Sequence, residues 1–346
     1  MTATPVTGAR GTGTRVSGVG GTGAPVSGAR GTGTRVSGAP VTDAPPVAPA
    51  SLRPVADGVY AFVQPDGGWC LNNAGLVVGE ERSVLVDTAA TQARTRRLRA
   101  EVERLVPDGP DYVVNTHFHG DHTFGNGQFA PRSVIVAHEG CRADTAEAGL
   151  GLRHLWPDVE WGETPLTLPS LTFRDTLTVH AGNLRIELLH VGPAHTANDV
   201  VVWVPERSVL FTGDVVWSGV TPYVLMGSIS GSLRALDRLR ALGAETVVPG
   251  HGPVGGAELL DATEAYLRWV RELAENGVRR RLSPLRAAEE ADLGAFARLV
   301  DSERLVGNLH RAYAELEGLA PGARIDVLAS FKEMVAYHGG LPACHA

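Results

Sequence analysis

The chain has 346 residues, 43% of them hydrophobic, and a formal net charge of −7. That is apolar material for one large core or two smaller ones, and the acidic balance argues against nucleic acid as a partner, since phosphate binding needs clustered Lys and Arg. Cys70, Cys141 and Cys344 are too few for a disulfide framework, which favours a reducing cytoplasm, and no apolar run approaches the ~20 residues that span a bilayer.

Residues 1–50 open with a ten-residue repeat, GARGTGTRVS at 8–17 and again at 28–37, with GVGGTGAPVS between. The tail carries four arginines against Asp43, so it is +3 and the remainder −10. With almost no large apolar side chains it cannot offset its ordering entropy, and disorder is expected. A docking arm for an acidic partner is the functional alternative. The start of the sequence shows neither the basic nor the apolar region of a secretory signal.

Short β-branched runs predict strands at 59–64, 75–78, 83–87, 112–115, 133–137, 185–190, 200–204, 209–212 and 246–248. Helices are predicted between them. At 92–105, Leu98, Val102 and Leu105 share a face; at 232–242, Leu233, Leu236 and Leu239 do. Alternating strands and helices predict an α/β fold. Residues 257–317 read as further helices, broken near Ser283-Pro284 and Asp301-Ser302. The division expected is a tail at 1–50, an α/β domain at 51–256 and a helical extension at 257–346.

The chemistry concentrates in Thr116-His117-Phe118-His119-Gly120-Asp121-His122, four possible ligands in six positions after a predicted strand. If the segment is extended, His117 and His119 point the same way, and a sharp turn at Gly120 would aim Asp121 and His122 at a second point. His195 follows the strand at 185–190, Asp214 the strand at 209–212, and His251 the strand at 246–248. Strand ends are where α/β proteins build sites. Imidazole with carboxylate suits zinc, and Mn or Fe would accept the same donors. Isolated histidines such as His138, His190 and His310 read as core or surface residues. Cys70 and Cys141 read as buried structural thiols.

His-x-His-x-Asp-His, Gly-x-x-His-Thr, Thr-Gly-Asp and Pro-Gly-His-Gly, in that order over about residues 55–256, resemble the metallo-β-lactamase superfamily. The resemblance, which leaves out the repeat tail, implies an αββα sandwich followed by a helical extension expected to cover the active site. It implies two divalent metal ions, expected to be Zn2+. His117, His119 and His195 would hold one; Asp121, His122 and His251 would hold the other; Asp214 would bridge them. Asp121 and Asp214 are also the expected catalytic carboxylates.

The flanks (NTHFHGDHTFGNGQF at 115–129, VGPAHTANDVVVWVP at 191–205, GDVVWSGVTP at 213–222) resemble more narrowly the second-ring cyclases of aromatic type II polyketide biosynthesis. This resemblance implies an acyl carrier protein as partner, aldol closure of a second ring with loss of water, and hydrolysis of the thioester. A stand-alone thioesterase or lactonase of the glyoxalase II type is the alternative. A secreted β-lactamase is disfavoured by the lack of an export signal, and a binding module without turnover by the complete ligand set. Trp69, Phe124, Trp217 and Tyr223 are candidate pocket aromatics, with ordinary core packing the competing reading. Arg279, Arg280 and Arg281 read as a solvated helix end or as a contact for the acidic carrier.

Overall fold

The β-branched runs form two sheets. The structure is a computed structural model that describes residues 50–130 and 132–346, so the repeat tail and its expected disorder lie outside the described residues. The first sheet holds seven strands in chain order: β1 (Leu52–Ala56), β2 (Val59–Phe62), β3 (Ala74–Val78), β4 (Ser83–Val86), β5 (Tyr112–Val114), β6 (Val134–His138) and β7 (Leu171–Phe173). The first four pair antiparallel and the rest parallel. The second sheet holds β8 (Thr176–Ala181), β9 (Leu184–His190), β10 (Val200–Val204), β11 (Val209–Trp217) and β12 (Thr246–His251), with only β11 and β12 parallel.

Side-chain alternation assembles these sheets into layers. In β10, Val200, Val202 and Val204 join Val77, Val84 and Val114 of the first sheet, while Val201 and Trp203 face the other way into helices. A strand covered on both sides has to be apolar throughout. Helix α1 (Gln92–Glu103) lays Leu98 and Val102 on the outer face of the first sheet, and Thr91 caps it by accepting from Arg94 N. Its predicted partner Leu105 falls beyond the helix and is exposed. Two short helices follow, α2 (Gly120–Thr123) and α3 (Glu139–Ala148). Helix α4 (Ile229–Arg240) covers the second sheet with Leu233, Leu236 and Leu239, as predicted. The architecture is the αββα sandwich, with a helical C-terminal part.

Three strands escaped the sequence reading for local reasons. β1 carries Pro54, which is tolerated because the strand is an edge. β7 and β8 are largely polar or exposed, with only Leu177, Val179 and Ala181 of β8 turned inward.

The C-terminal helices are α5 (Glu258–Arg280), α6 (Pro284–Glu289), α7 (Arg304–Leu316) and α8 (Val327–His338). In α7, Arg304, Asn308 and Arg311 fall on one buried stripe at i, i+4 and i+7. All three bind the backbone at 221–225. Arg304 Nη1 donates to Thr221 O at 3.1 Å, Asn308 Nδ2 to Pro222 O at 2.7 Å, and Arg311 Nε to Leu225 O at 2.9 Å, while Asn308 Oδ1 accepts from Val224 N at 2.8 Å. Buried polar groups need such partners, so α7 and this loop specify each other. Among the described residues, no helix is long and apolar enough to cross a membrane.

Candidate metal centre

The site forms past the ends of β4 and β5, inside β11 and at the last residue of β12. Asp87, just past β4, accepts from Thr116 N at 2.8 Å and Thr116 Oγ1 at 2.7 Å, which fixes the start of the histidine motif. The chain does not stay extended as predicted. His119 is the N-cap of α2, and Asp121 and His122 project from that helix's first turn. Gly120 makes no positive-φ turn; a Cβ there would lie 2.4 Å from the Phe124 ring, so close packing requires the glycine. His117 and His119 still converge, with ring centroids 4.7 Å apart.

Asp214 lies within β11, which runs past its predicted end. The strand breaks register around Gly213, whose φ of +50° turns the carboxylate inward. His251 is the last residue of β12, and His195 stands in the loop between β9 and β10.

These seven side chains gather as sequence reasoning expected. One group is His117, His119, His195 and Asp214; the other is Asp121, His122 and His251; within each group the donor atoms lie within 4.8 Å of one another. Asp214 spans both. Its Oδ2 is 3.8 Å from His117 Nε2, 3.4 Å from His195 Nε2 and 3.5 Å from His251 Nε2, and its Oδ1 is 3.2 Å from His122 Nε2.

The donor set fits a pair of cations. His117 Nε2, His122 Nε2 and Asp214 Oδ1 are buried without a hydrogen-bond partner among the described residues. The ring tautomers follow from the opposite nitrogens. His122 Nδ1 donates to Asp87 Oδ2 at 2.8 Å, His251 Nδ1 to Gly67 O at 2.8 Å, and His195 Nδ1 to Tyr223 O. Thr116 Oγ1 gives its own proton to Asp87, so at 3.0 Å it accepts from His117 Nδ1. Each of these four rings therefore turns Nε2 inward, the orientation that outer hydrogen bonds impose on metal-binding histidines. His119 Nδ1 lies 2.8 Å from His195 Nε2.

Charge divides the cluster in two. Burial, then the His195 imidazole, pushes His119 down to about 3, and burial with His122 also lowers His117. Burial would lower His251 too, but Asp214 and Asp121 outweigh it and hold its imidazolium up to about 9. His122 is raised well above its ordinary value in the same way, by Asp214 and Asp87 against burial. Asp121 resists burial and sits at about 2 because of His122 and His251. Near neutrality, the first triad is thus neutral and ready to coordinate, while His122 and His251 carry protons that a cation has to displace. Titrating zinc into the protein at pH 7 should release little acid with the first equivalent and more with the second. The second affinity should fall first as pH drops below 9. Calorimetry in two buffers of different ionisation enthalpy reads this, and equal proton release for both equivalents would refute it.

Asp87 was not foreseen, although its place directly after a strand was the available signal. It orients both Thr116 and His122. Asp87→Asn should weaken metal binding by roughly 10–100-fold, measured by competition with a chromophoric chelator, while the fold persists.

Trp69, Trp217 and Tyr223 line the metal cavity, whose volume is about 80 Å³. Trp217 stacks on His251 with centroids 4.7 Å apart. Phe124 does not line it; its ring packs under Gly120 and against Trp161. Sequence adjacency to His122 was misleading, because the helical turn of α2 carries Phe124 away from the ligands. Arg304 is the wall residue that sequence reasoning missed. Its guanidinium is buried 4.2 Å from the Trp69 ring centroid and 4.8 Å from that of Trp217, and its Nε has no partner among the described residues. Cys70 is buried in the same wall and Cys141 elsewhere.

A family model described as the metallo-beta-lactamase superfamily matches residues 67–251. The chain is 27% identical over 225 residues to "Metallo-beta-lactamase type 2" of Bacteroides fragilis, covering 62% of this chain and 84% of that protein. It is 28% identical over 217 residues to "Acyl-coenzyme A thioesterase MBLAC2" of Homo sapiens, covering 54% and 75%. Hydroxyacylglutathione hydrolase of Methylococcus capsulatus is 32% identical over 170 residues, covering 49% of this chain; the match spans only 57% of that enzyme. Among solved structures, a metallo-beta-lactamase from Pontibacter korlensis superposes with a TM-score of 0.54 at 24% identity, over 64% of this chain and 99% of that one.

Proposed function

The chain belongs to the metallo-beta-lactamase superfamily, and from that premise we propose that it is a binuclear zinc enzyme hydrolysing acyl thioesters. Its substrate is an aromatic polyketide on acyl carrier protein, and it also closes that polyketide's second ring. The carrying observation is the single carboxylate of Asp214, within 3.8 Å of four histidines drawn from both ligand groups. Such a cluster is built around two charges rather than one.

Two cations held there would supply a nucleophilic water at neutral pH and an electrophile for a carbonyl oxygen. The chain's own residues do the rest. Trp69, Trp217 and Tyr223 offer apolar faces to the part of the acyl group next to the thioester carbonyl. Arg304, paired with Asp301 Oδ2 at 2.7 Å, places a permanent charge behind the same wall. Asp121 and Asp214, both held ionised, are the carboxylates that would balance the two cations and accept hydrogen bonds from water held there. In hydrolysis, water adds to the thioester carbonyl, the C–S bond breaks, and the thiol leaves with a proton. In ring closure, a carbon between two carbonyls loses its proton, adds to a ketone, and water is eliminated.

The stand-alone thioesterase reading draws support from the 32% identity with hydroxyacylglutathione hydrolase. One experiment separates the two. Purified protein is assayed for metal content and for turnover of a carrier-bound polyketide and of short model thioesters, with products followed by mass spectrometry. About two zinc ions per chain are expected, with carrier-bound substrate preferred and a dehydrated bicyclic acid released. Equal rates on short thioesters, with no ring closed, would favour the glyoxalase II type. Turnover indifferent to chelator would end both.

A further inference from the structure

The metal cavity is too small for the acyl group just proposed. At about 80 Å³ it falls short of the ~300–1,000 Å³ typical of small-molecule sites. It holds the reacting carbonyl and little else. A second cleft of about 340 Å³ adjoins it, and Met226 and Val327 stand in the walls of both. Phe118, whose ring centroid is 4.6 Å from that of His119, lines the cleft from the metal side.

One wall of the cleft contains a fully buried cation with a spare donor. Arg311 has Nε bound to Leu225 O at 2.9 Å and Nη2 to Ala323 O at 2.8 Å. Its Nη1 is buried with no partner among the described residues. Leaving a donor of a charged group unmet costs about 1–3 kcal/mol or more, so this guanidinium favours a third acceptor. The guanidinium is already clamped by two backbone carbonyls, which removes most of the entropy cost of receiving one.

Net charge decides what kind of acceptor. Asp144 and Glu147 in the wall offset Arg311 and Arg324, and Arg324 is already paired with Glu147. A balanced wall with apolar Phe118, Met226 and Val327 disfavours a phosphate or polycarboxylate. It suits a neutral, flat group bearing ketone or phenol oxygens.

We infer that this cleft is the subsite for the body of the acyl group, with Arg311, covered by the wall in this structure, reaching one of its carbonyl or phenol oxygens through Nη1 after a small shift of the side chains over it. The inference rests on the thioesterase reading above and names where its substrate lies. The carrier's thiol arm then leaves by another route.

The test uses metal-loaded protein and N-acetylcysteamine thioesters of acetate, naphthylacetate and dihydroxynaphthylacetate. Wild-type kcat/KM should be at least about tenfold higher for the dihydroxynaphthyl compound than for acetate, one hydrogen bond plus ring burial being worth that much. Ile325→Trp, which fills the cleft from a half-buried wall position, should erase this preference and leave the acetyl compound within about twofold. Arg311→Lys should shrink the advantage of the dihydroxylated over the plain naphthyl compound. Equal loss on all three thioesters in Ile325→Trp would overturn the assignment. So would a loss that appears only when pantetheine replaces N-acetylcysteamine, which would put the thiol arm in the cleft. Binding of free dihydroxynaphthylacetic acid, followed by tryptophan fluorescence, separates this from failure of the thioesterase reading. Acid bound by wild type and not by Ile325→Trp keeps the cleft even if no thioester is cleaved. Acid bound equally by both refutes it.

Discussion

Asp214→Asn is expected to strip metal from both halves of the centre and to lower thioester hydrolysis at least roughly a thousandfold, the scale on which removing a unit of catalytic machinery acts. The substitution preserves shape and removes one negative charge. That charge faces four imidazoles. Burial alone would raise the Asp214 carboxyl; His251, His122, His195 and His117 together hold it well below its ordinary value. An amide can neither bridge two cations nor balance them in a buried site, so their mutual repulsion goes unmet. His119→Ala should be milder in one respect, since it takes a donor from one group only. Elemental analysis and steady-state kinetics on both variants, with circular dichroism as a check on folding, read the difference. Two metals per chain and near-normal turnover in Asp214→Asn would remove the basis of the binuclear assignment.

Gly250→Ala should have nearly as large an effect without touching a ligand. A Cβ at residue 250 would lie 1.9 Å from Asp214 Oδ1, 2.6 Å from Gly213 C and 2.8 Å from Asp214 N. The strand cannot draw back. Asn73 N donates to Gly250 O at 2.6 Å, and Asn73 Nδ2 donates to Pro249 O at 2.8 Å and Gly252 O at 2.7 Å. The methyl group must therefore displace the carboxylate. Loss of at least one metal equivalent is expected, with a stability penalty of about 1–3 kcal/mol from overpacking. Gly151→Ala is the control, because nothing lies within 4 Å of a Cβ there. If Gly250→Ala kept full metal content and rate, the carboxylate position described here would be wrong.

The seven clustered side chains were legible because each sits in a short motif beside a predicted strand, although Asp214 falls within β11 and Asp121 and His122 on α2. His195, Asp214 and His251 needed no knowledge of contacts beyond that. The residues by themselves predicted only strands alternating with helices, and the sandwich came from the resemblance; Val200–Val204, apolar at every position, is the strand that both faces cover. What could not be read depends on directions and distant partners. Phe124 is two residues from His122, yet a turn of helix sends it into the core. Asp87 acts on Thr116 across 29 positions of sequence. Arg304 lies further still from any ligand motif, and only the i, i+4, i+7 spacing of Arg304, Asn308 and Arg311 marked a polar stripe on that helix. Edge strands like Leu171–Phe173 gave no signal because solvent, not burial, sets their composition.

The grip of α7 on the loop at 221–225 has a consequence for how the molecule can be dissected. Tyr223 lends its carbonyl to His195, and its neighbours Thr221, Pro222, Val224 and Leu225 are tied to Arg304, Asn308 and Arg311. The span recognised by the family model stops at residue 251, before any of those three side chains. Excised on its own, that span would retain every coordinating group and still lose the scaffold that aims one of them. The later helices are thus part of the active site's foundation, and a fragment ending near 256 should be a poor metal binder however well its sheets form.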